Sequence, residues 1–268
     1  MSSKRNIIFL SMFLAVLVLY QHFGRIKIVD TSVAETSPKS AAISVLFVGN
    51  SFTSVNNLPQ IFSTIAASLG DQVSVDMYAP GGYTFEGHAK DLTTREKIQS
   101  RDWSFVVLQE QSQRPSFNAE QIAEQVVPHA LFLDKLIHTG HASTKTVFYE
   151  TWGRKDGDSS NCKDIPAICT YDGMQRRLSD TYADLARRTS GILVPVGMSW
   201  RHLRHSHPEL NLYAADGVHP SIQGTYLAAC VFYATLFHKS PIKADSLGLK
   251  ATDAELLQRT AEEVVNGL

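Results

Sequence analysis

Five short apolar runs constrain this chain more than any other feature: Ile43–Val48, Val73–Tyr78, Phe105–Leu108, Thr146–Tyr149 and Ile192–Val196. β-Branched and aromatic residues dominate them, and they read as continuous rather than alternating. That pattern suits strands covered on both faces, as in a parallel sheet. Between the runs, apolar residues recur at helical spacing. Leu58, Ile61, Phe62, Ile65 and Leu69 form one stripe. Ile122, Val126, Ala130, Leu133 and Ile137 form a second, within a helix expected over Ala119–Ile137. Met174, Leu178, Tyr182 and Leu185 form a third. Further helices are expected over Pro220–Phe237, with Pro220 in the first turn, and over about Asp253–Val265. Strands alternating with helices predict right-handed βαβ units. The expected fold is therefore α/β, a three-layer α/β/α sandwich on a five-stranded parallel sheet. In such sheets the ligand crevice lies outside the C-terminal ends of the strands. Ser51 follows the first run, Gly81 and Gly82 the second, and Gln109 and Gln111 the third. Glu150, Thr151 and Trp152 follow the fourth.

Two distant segments supply a set of side chains that can do chemistry together. Val48-Gly49-Asn50-Ser51-Phe52-Thr53 places a serine just past the first strand. Asp216-Gly217-Val218-His219-Pro220 places an aspartate three residues before a histidine. A serine hydroxyl is a weak nucleophile until a base takes its proton. His219 would be that base and later the acid toward a leaving alcohol. Asp216 would hold the imidazole tautomer and stabilise the imidazolium. Alone, Asn50, Ser51, Thr53 and Ser54 would read as helix-capping residues, and Asp216-Gly217 as a turn. The pairing carries the catalytic reading.

Gly49-Asn50-Ser51 with Asp216-Gly217-Val218-His219-Pro220 resembles the SGNH hydrolases, the GDSL-like esterase superfamily. The first block of that family usually reads Gly-Asp-Ser, and here Asn50 stands at the aspartate position. The resemblance implies a flavodoxin-like sandwich and metal-independent acyl-ester hydrolysis through an acyl-enzyme, with no cofactor. It implies an oxyanion hole built from the Ser51 N–H, a glycine N–H after the second strand, and an asparagine after the third. Gly82 matches the glycine best, with Gly81 as the rival. The third block normally reads Gly-x-Asn, but this chain has Gln109-Glu110-Gln111. Gln111 falls at the asparagine position and Gln109 at the glycine position. A glutamine amide can donate the same hydrogen bond with one more methylene of reach.

The expected substrate is a small-molecule or glycan ester, with an acetylated carbohydrate the favoured form. Trp152 is a candidate for stacking on a sugar or acyl group, and Arg154 for meeting an anion; packing and solvated roles are the alternatives. A glycan O-acyltransferase on the same scaffold and a non-catalytic glycan-binding module are the rival functions. Glu110 and Glu150 at neighbouring strand ends resemble a glycosidase carboxylate pair, a reading that leaves Ser51 and His219 unexplained. His202, His205 and His207 cluster beside Arg201 and Arg204, as on a solvated helix end rather than a metal site.

The net charge of −1, without long runs of one sign, gives no support for a nucleic-acid groove. Neither nucleotide-binding glycine motif occurs. Lys4 and Arg5 precede the apolar run Ile7–Tyr20. This predicts a signal anchor or signal peptide over residues 1–28, a linker over 29–42 and a hydrolase domain over 43–268. An exported, membrane-tethered domain follows from the positive flank; cleavage of the segment would make it secreted. Cys162 and Cys169 are placed to close a loop in an oxidising compartment, while Cys230 reads as a core residue.

Overall fold

Each of the five apolar runs is a strand. They are β1 (Ile43–Val48), β2 (Val73–Tyr78), β3 (Phe105–Leu108), β4 (Lys145–Tyr149) and β5 (Ile192–Val194). The structure is a computed structural model that describes residues 43–267. The expected anchor and linker lie outside the described residues. The sheet is parallel throughout, in the order β2-β1-β3-β4-β5. The order reverses between β1 and β3, so the switch-point crevice opens where those two strands end. Their ends are in register: Val48 lies opposite both Tyr78 and Leu108. Gly49, Ala79 and Gln109 therefore leave the sheet side by side.

Strand alternation sends Val45 and Phe47 to one face and Leu46 and Val48 to the other, and all four are buried. Helices cover both faces. On the first face lie α2 (Leu58–Ser68), α8 (Val196–Ser206), α9 (Ile222–Phe237) and α10 (Ala251–Asn266). On the second lie α3 (Phe85–Lys90), α4 (Leu92–Gln99), α6 (Val127–His138) and α7 (Tyr171–Thr189). The remaining two are α1, a single turn at Ser51–Ser54, and α5 (Ala119–Gln125). Every residue of α9 from Gly224 to Leu236 is buried. This helix is apolar on all sides because α2 and α10 pack on either flank.

Apart from shifts of one or two residues elsewhere, three boundaries differ from expectation, each of them near a proline. β5 ends at Val194, and Val196 begins α8 instead of finishing the strand. Pro195 has no N–H to give the ladder. The helix expected over Ala119–Ile137 is two helices, separated at Val126 just before Pro128. Pro220 is not in the first turn of α9. Ser221 caps that helix, accepting from the Gly224 N–H at 3.2 Å, and Pro220 remains in the preceding loop.

Candidate active site

Ser51 opens α1, immediately beyond β1. Asn50 caps this turn: its side-chain oxygen accepts from the Phe52 N–H at 3.1 Å, and its carbonyl accepts from Thr53 and Ser54. Among the described residues the Ser51 N–H is left without an acceptor. The Asp216–His219 loop arrives from 165 residues further along the chain, just before α9, and meets the serine. His219 Nε2 lies 2.9 Å from Ser51 Oγ, and His219 Nδ1 lies 2.5 Å from Asp216 Oδ2. The sequence-predicted nucleophile, base and orienting carboxylate are thus in one hydrogen-bonded line. Asp216 Oδ1 accepts from the backbone N–H groups of Val218 and His219, both at 2.9 Å. Partial burial works against its charge, but the His219 ring and these two N–H groups outweigh it and hold the carboxyl at about 2.

Gly82 lies on the exposed rim with φ +73. A side chain there would meet nothing within 4 Å, so the left-handed backbone, not crowding, calls for glycine. The N–H groups of Gly81 and Gly82 have no acceptor among the described residues, and only Gly82 has the positive φ. Gln111 is occupied within its own loop. Its Oε1 accepts from the Gln113 and Arg114 N–H groups, and its Nε2 donates to Gln113 Oε1 at 3.1 Å. One of its two amide hydrogens remains free.

Gln109 does other work. It is fully buried, and its Oε1 accepts from the Asn50 N–H and the Thr53 hydroxyl, each at 2.9 Å. Its Nε2 donates to Asn50 Oδ1 at 3.0 Å. Asn50 completes the link by donating from Nδ2 to Tyr83 O at 2.8 Å. Two further buried residues brace the same loops: Glu110, which the sequence offered only as half of a carboxylate pair, and His88, which it did not single out. Glu110 accepts from the Phe85 N–H at 2.9 Å and the Gln111 N–H at 2.6 Å, tying the glycine loop to the end of β3. His88 Nε2 lies 2.8 Å from Gly49 O and its Nδ1 2.9 Å from Thr94 Oγ1. Burial pushes His88 down to about 4, so the ring is neutral and bonds the carbonyl as a donor. His88 lies in no motif and Glu110 only at the unspecified position of the third block; a buried polar side chain is visible only once the fold is known.

Several sequence candidates prove to be structural. Trp152 is only 1% exposed, so it offers no face to a sugar. Its ring is stacked between Phe52 at 4.7 Å and Trp200 at 3.9 Å. Arg154 is paired with the buried Asp158 at 3.1 Å. Glu110 and Glu150 are both fully buried. Burial raises each to about 7, against hydrogen bonds that favour the charged form, and neither reaches the surface. His205 pairs with Asp172 at 3.1 Å and His207 with Glu209 at 3.0 Å, at and beyond the end of α8. Cys162 and Cys169 are disulfide-bonded, and Cys230 is buried in α9.

No family model and no curated protein matches the sequence. Solved structures do match. A DUF4886 family protein from Bacteroides uniformis superimposes with a TM-score of 0.73 at 16% identity, over 84% of this chain and 95% of its own. A candidate SGNH hydrolase from Slackia heliotrinireducens is 29% identical, with a TM-score of 0.59, over 73% of this chain and 99% of its own. This chain has the SGNH hydrolase fold. A candidate GDSL-like lipase from Parabacteroides merdae shares it, with a TM-score of 0.54 at 15% identity, over 74% and 96% of the two chains.

Within the SGNH hydrolase fold, two of the three departures of this chain from the family pattern touch each other. Asn50 stands where the resemblance leads one to expect aspartate, and Gln109 where it leads one to expect glycine; they bond at 2.9 and 3.0 Å. An aspartate at position 50 would keep the acceptor but lose the donor to Tyr83 O. Asn50→Asp is therefore expected to lower stability by roughly 1–3 kcal/mol, the cost of an unmet buried polar contact. Urea unfolding should show a lower midpoint with an unchanged slope; an unchanged midpoint would refute the role given to Nδ2.

Proposed function

We propose that the protein is a serine hydrolase that cleaves acyl esters through Ser51, His219 and Asp216. The observation that carries this reading is the unbroken line from Ser51 Oγ to His219 Nε2 at 2.9 Å and from His219 Nδ1 to Asp216 Oδ2 at 2.5 Å. Ser51 Oγ attacks the ester carbonyl while its proton passes to His219 Nε2. The carbonyl π pair moves onto oxygen, and the Ser51 and Gly82 N–H groups stabilise that charge, with the free hydrogen of Gln111 as third donor. Each such donor typically contributes about 10²–10³ in kcat. As the C–O bond breaks, the proton on Nε2 passes to the departing alcohol. Water then gives a proton to Nε2, attacks the acyl-serine, and returns the enzyme with release of the acid. Asp216 keeps its charge throughout and compensates the imidazolium.

The proposed specificity is for the ester bond. The sugar-stacking role that favoured an acetylated carbohydrate is unsupported, because Trp152 is buried. The proposal also places the domain outside the cytoplasm, tethered through residues 1–42. The Lys4-Arg5 flank and apolar Ile7–Tyr20 run support this, and the Cys162–Cys169 bond suits an oxidising compartment.

A fluorophosphonate probe is expected to label the protein stoichiometrically, with the adduct on the peptide containing Ser51. Prior incubation with p-nitrophenyl acetate should slow labelling. An unlabelled, folded protein that also fails to turn over any member of a panel of acetyl, butyryl and octanoyl esters would overturn the proposal.

A further inference from the structure

We infer that Trp152 is a positioning residue for the reaction, acting with Asn56 to hold the loop that carries His219. The inference rests on reading Ser51 and His219 as nucleophile and base. Residues 217–220 have every backbone polar group bonded. Gly217 N–H donates to Ala214 O at 3.1 Å, and Asp216 Oδ1 takes the N–H groups of Val218 and His219. On the acceptor side, Gly217 O takes Lys155 N–H at 2.9 Å and His219 O takes Ala214 N–H at 2.8 Å. The two remaining carbonyls flank His219 and are held by side chains. Val218 O accepts from Trp152 Nε1 at 3.0 Å, and Pro220 O accepts from Asn56 Nδ2 at 3.1 Å.

Both donors belong to elements that also fix the serine. Trp152 follows β4 and stacks on Phe52, the residue after Ser51, at an interplanar angle of 4°. Phe52 in turn meets the His219 ring edge-on at 5.7 Å. Trp200 backs the far side of Trp152, so the indole cannot rotate away without opening the core. Asn56 lies five residues after Ser51 and adopts the left-handed conformation at φ 56, as Asn57 does at φ 53. Asparagine tolerates that region better than most residues. Here it aims the amide back across the cleft, where its second hydrogen reaches Thr225 Oγ1 at 2.9 Å.

The loop needs these contacts because packing does little for it. The His219 and Asp216 side chains are 34% and 47% exposed. A base that must stay within hydrogen-bond reach of its nucleophile, on a half-exposed loop, depends on what holds its backbone. The Ser51–His219 alignment is thus set by a tryptophan N–H and an asparagine amide that bond the loop backbone rather than the His219 ring.

Trp152→Phe keeps an aromatic ring in the stack and removes the N–H. Asn56→Asp keeps the backbone preference and removes the donor. For p-nitrophenyl acetate, each is expected to lower kcat by about 10- to 100-fold, the effect of displacing a catalytic group by about an ångström, with KM changed less than about twofold. The full-length protein should still fold, with near-native circular dichroism. The ¹⁵N resonances of the His219 ring are expected to be sharp in the parent and to broaden by exchange in both variants. If Trp152→Phe fails to fold, replacing Trp152 with 3-benzothienylalanine removes the N–H at constant size and carries the same expectations. Parental kcat and a sharp His219 ring in these variants would overturn the inference while leaving the serine-hydrolase reading intact. Retained activity in Ser51→Ala would overturn that reading, and the ring resonances would still decide whether Trp152 fixes His219.

Discussion

Ser51→Ala is expected to lower kcat for ester hydrolysis by roughly 10⁴-fold or more, the scale seen when a triad nucleophile is removed. The fold should survive the change. Ser51 Oγ is bonded to His219 Nε2, while the turn itself is capped by Asn50 and packed through Phe52. Alanine suits the first position of a helical turn. Residual turnover should remain above that of free solution, because the Gly82 N–H and the backbone N–H of residue 51 would still be available to the developing oxyanion. Steady-state rates with p-nitrophenyl acetate, alongside thermal unfolding, test the claim. A folded Ser51→Ala protein with parental kcat would remove Ser51 from the chemistry.

The second large effect is expected from Asp216→Asn. The orientation of the new amide would be dictated by the backbone. Val218 and His219 N–H both point at Oδ1, so the amide oxygen must stay there and the NH₂ must take the place of Oδ2. That NH₂ would donate to His219 Nδ1, forcing the ring proton onto Nε2. The nitrogen facing Ser51 Oγ would then have no lone pair with which to accept a proton. A fall in kcat of about 10⁴-fold is expected on this ground, with geometry preserved. A loss of less than tenfold would refute the tautomer argument. The parental carboxyl at about 2 lies below its usual 3.8, so its stabilising contribution is complete above about pH 4 and lost as pH falls through 2. Its charge is constant over the neutral range. Any acid limb of kcat/KM above pH 4 therefore belongs to another group.

Much of this was legible before the structure because it follows from local rules. β1, β2 and β3 coincide with their apolar runs, since a strand buried on both faces has little choice of composition. The placement of Ser51 followed from where the first run ends, and that of His219 from its spacing after Asp216. What was not legible depended on partners far away in sequence. Trp152 reads as exposed rim when only its position after β4 is known; Phe52 and Trp200, 100 and 48 residues away, bury it. Glu110 reads as a candidate acid until the Phe85 and Gln111 N–H groups are seen to surround it. Asn56 carries no signal in the chain at all, because its work is done on Pro220, 164 residues on. Pro195 and Pro220 were visible, but which side of a helix boundary each would occupy turned on the cap supplied by its neighbours.

The reciprocal bonding of Asn50 and Gln109 bears on how such a sequence arises. With Asn50 alone, its backbone N–H and the Thr53 hydroxyl would lose their acceptor; with Gln109 alone, beside an aspartate at position 50, the Tyr83 carbonyl would go unmet. A chain carrying only one of the two residues is expected to fold less stably than one carrying both. The two positions should therefore be inherited together across lineages, appearing as a correlated pair rather than as two independent drifts from the common motif. Transplanting the nucleophile segment of this chain into another scaffold would require carrying the end of β3 with it.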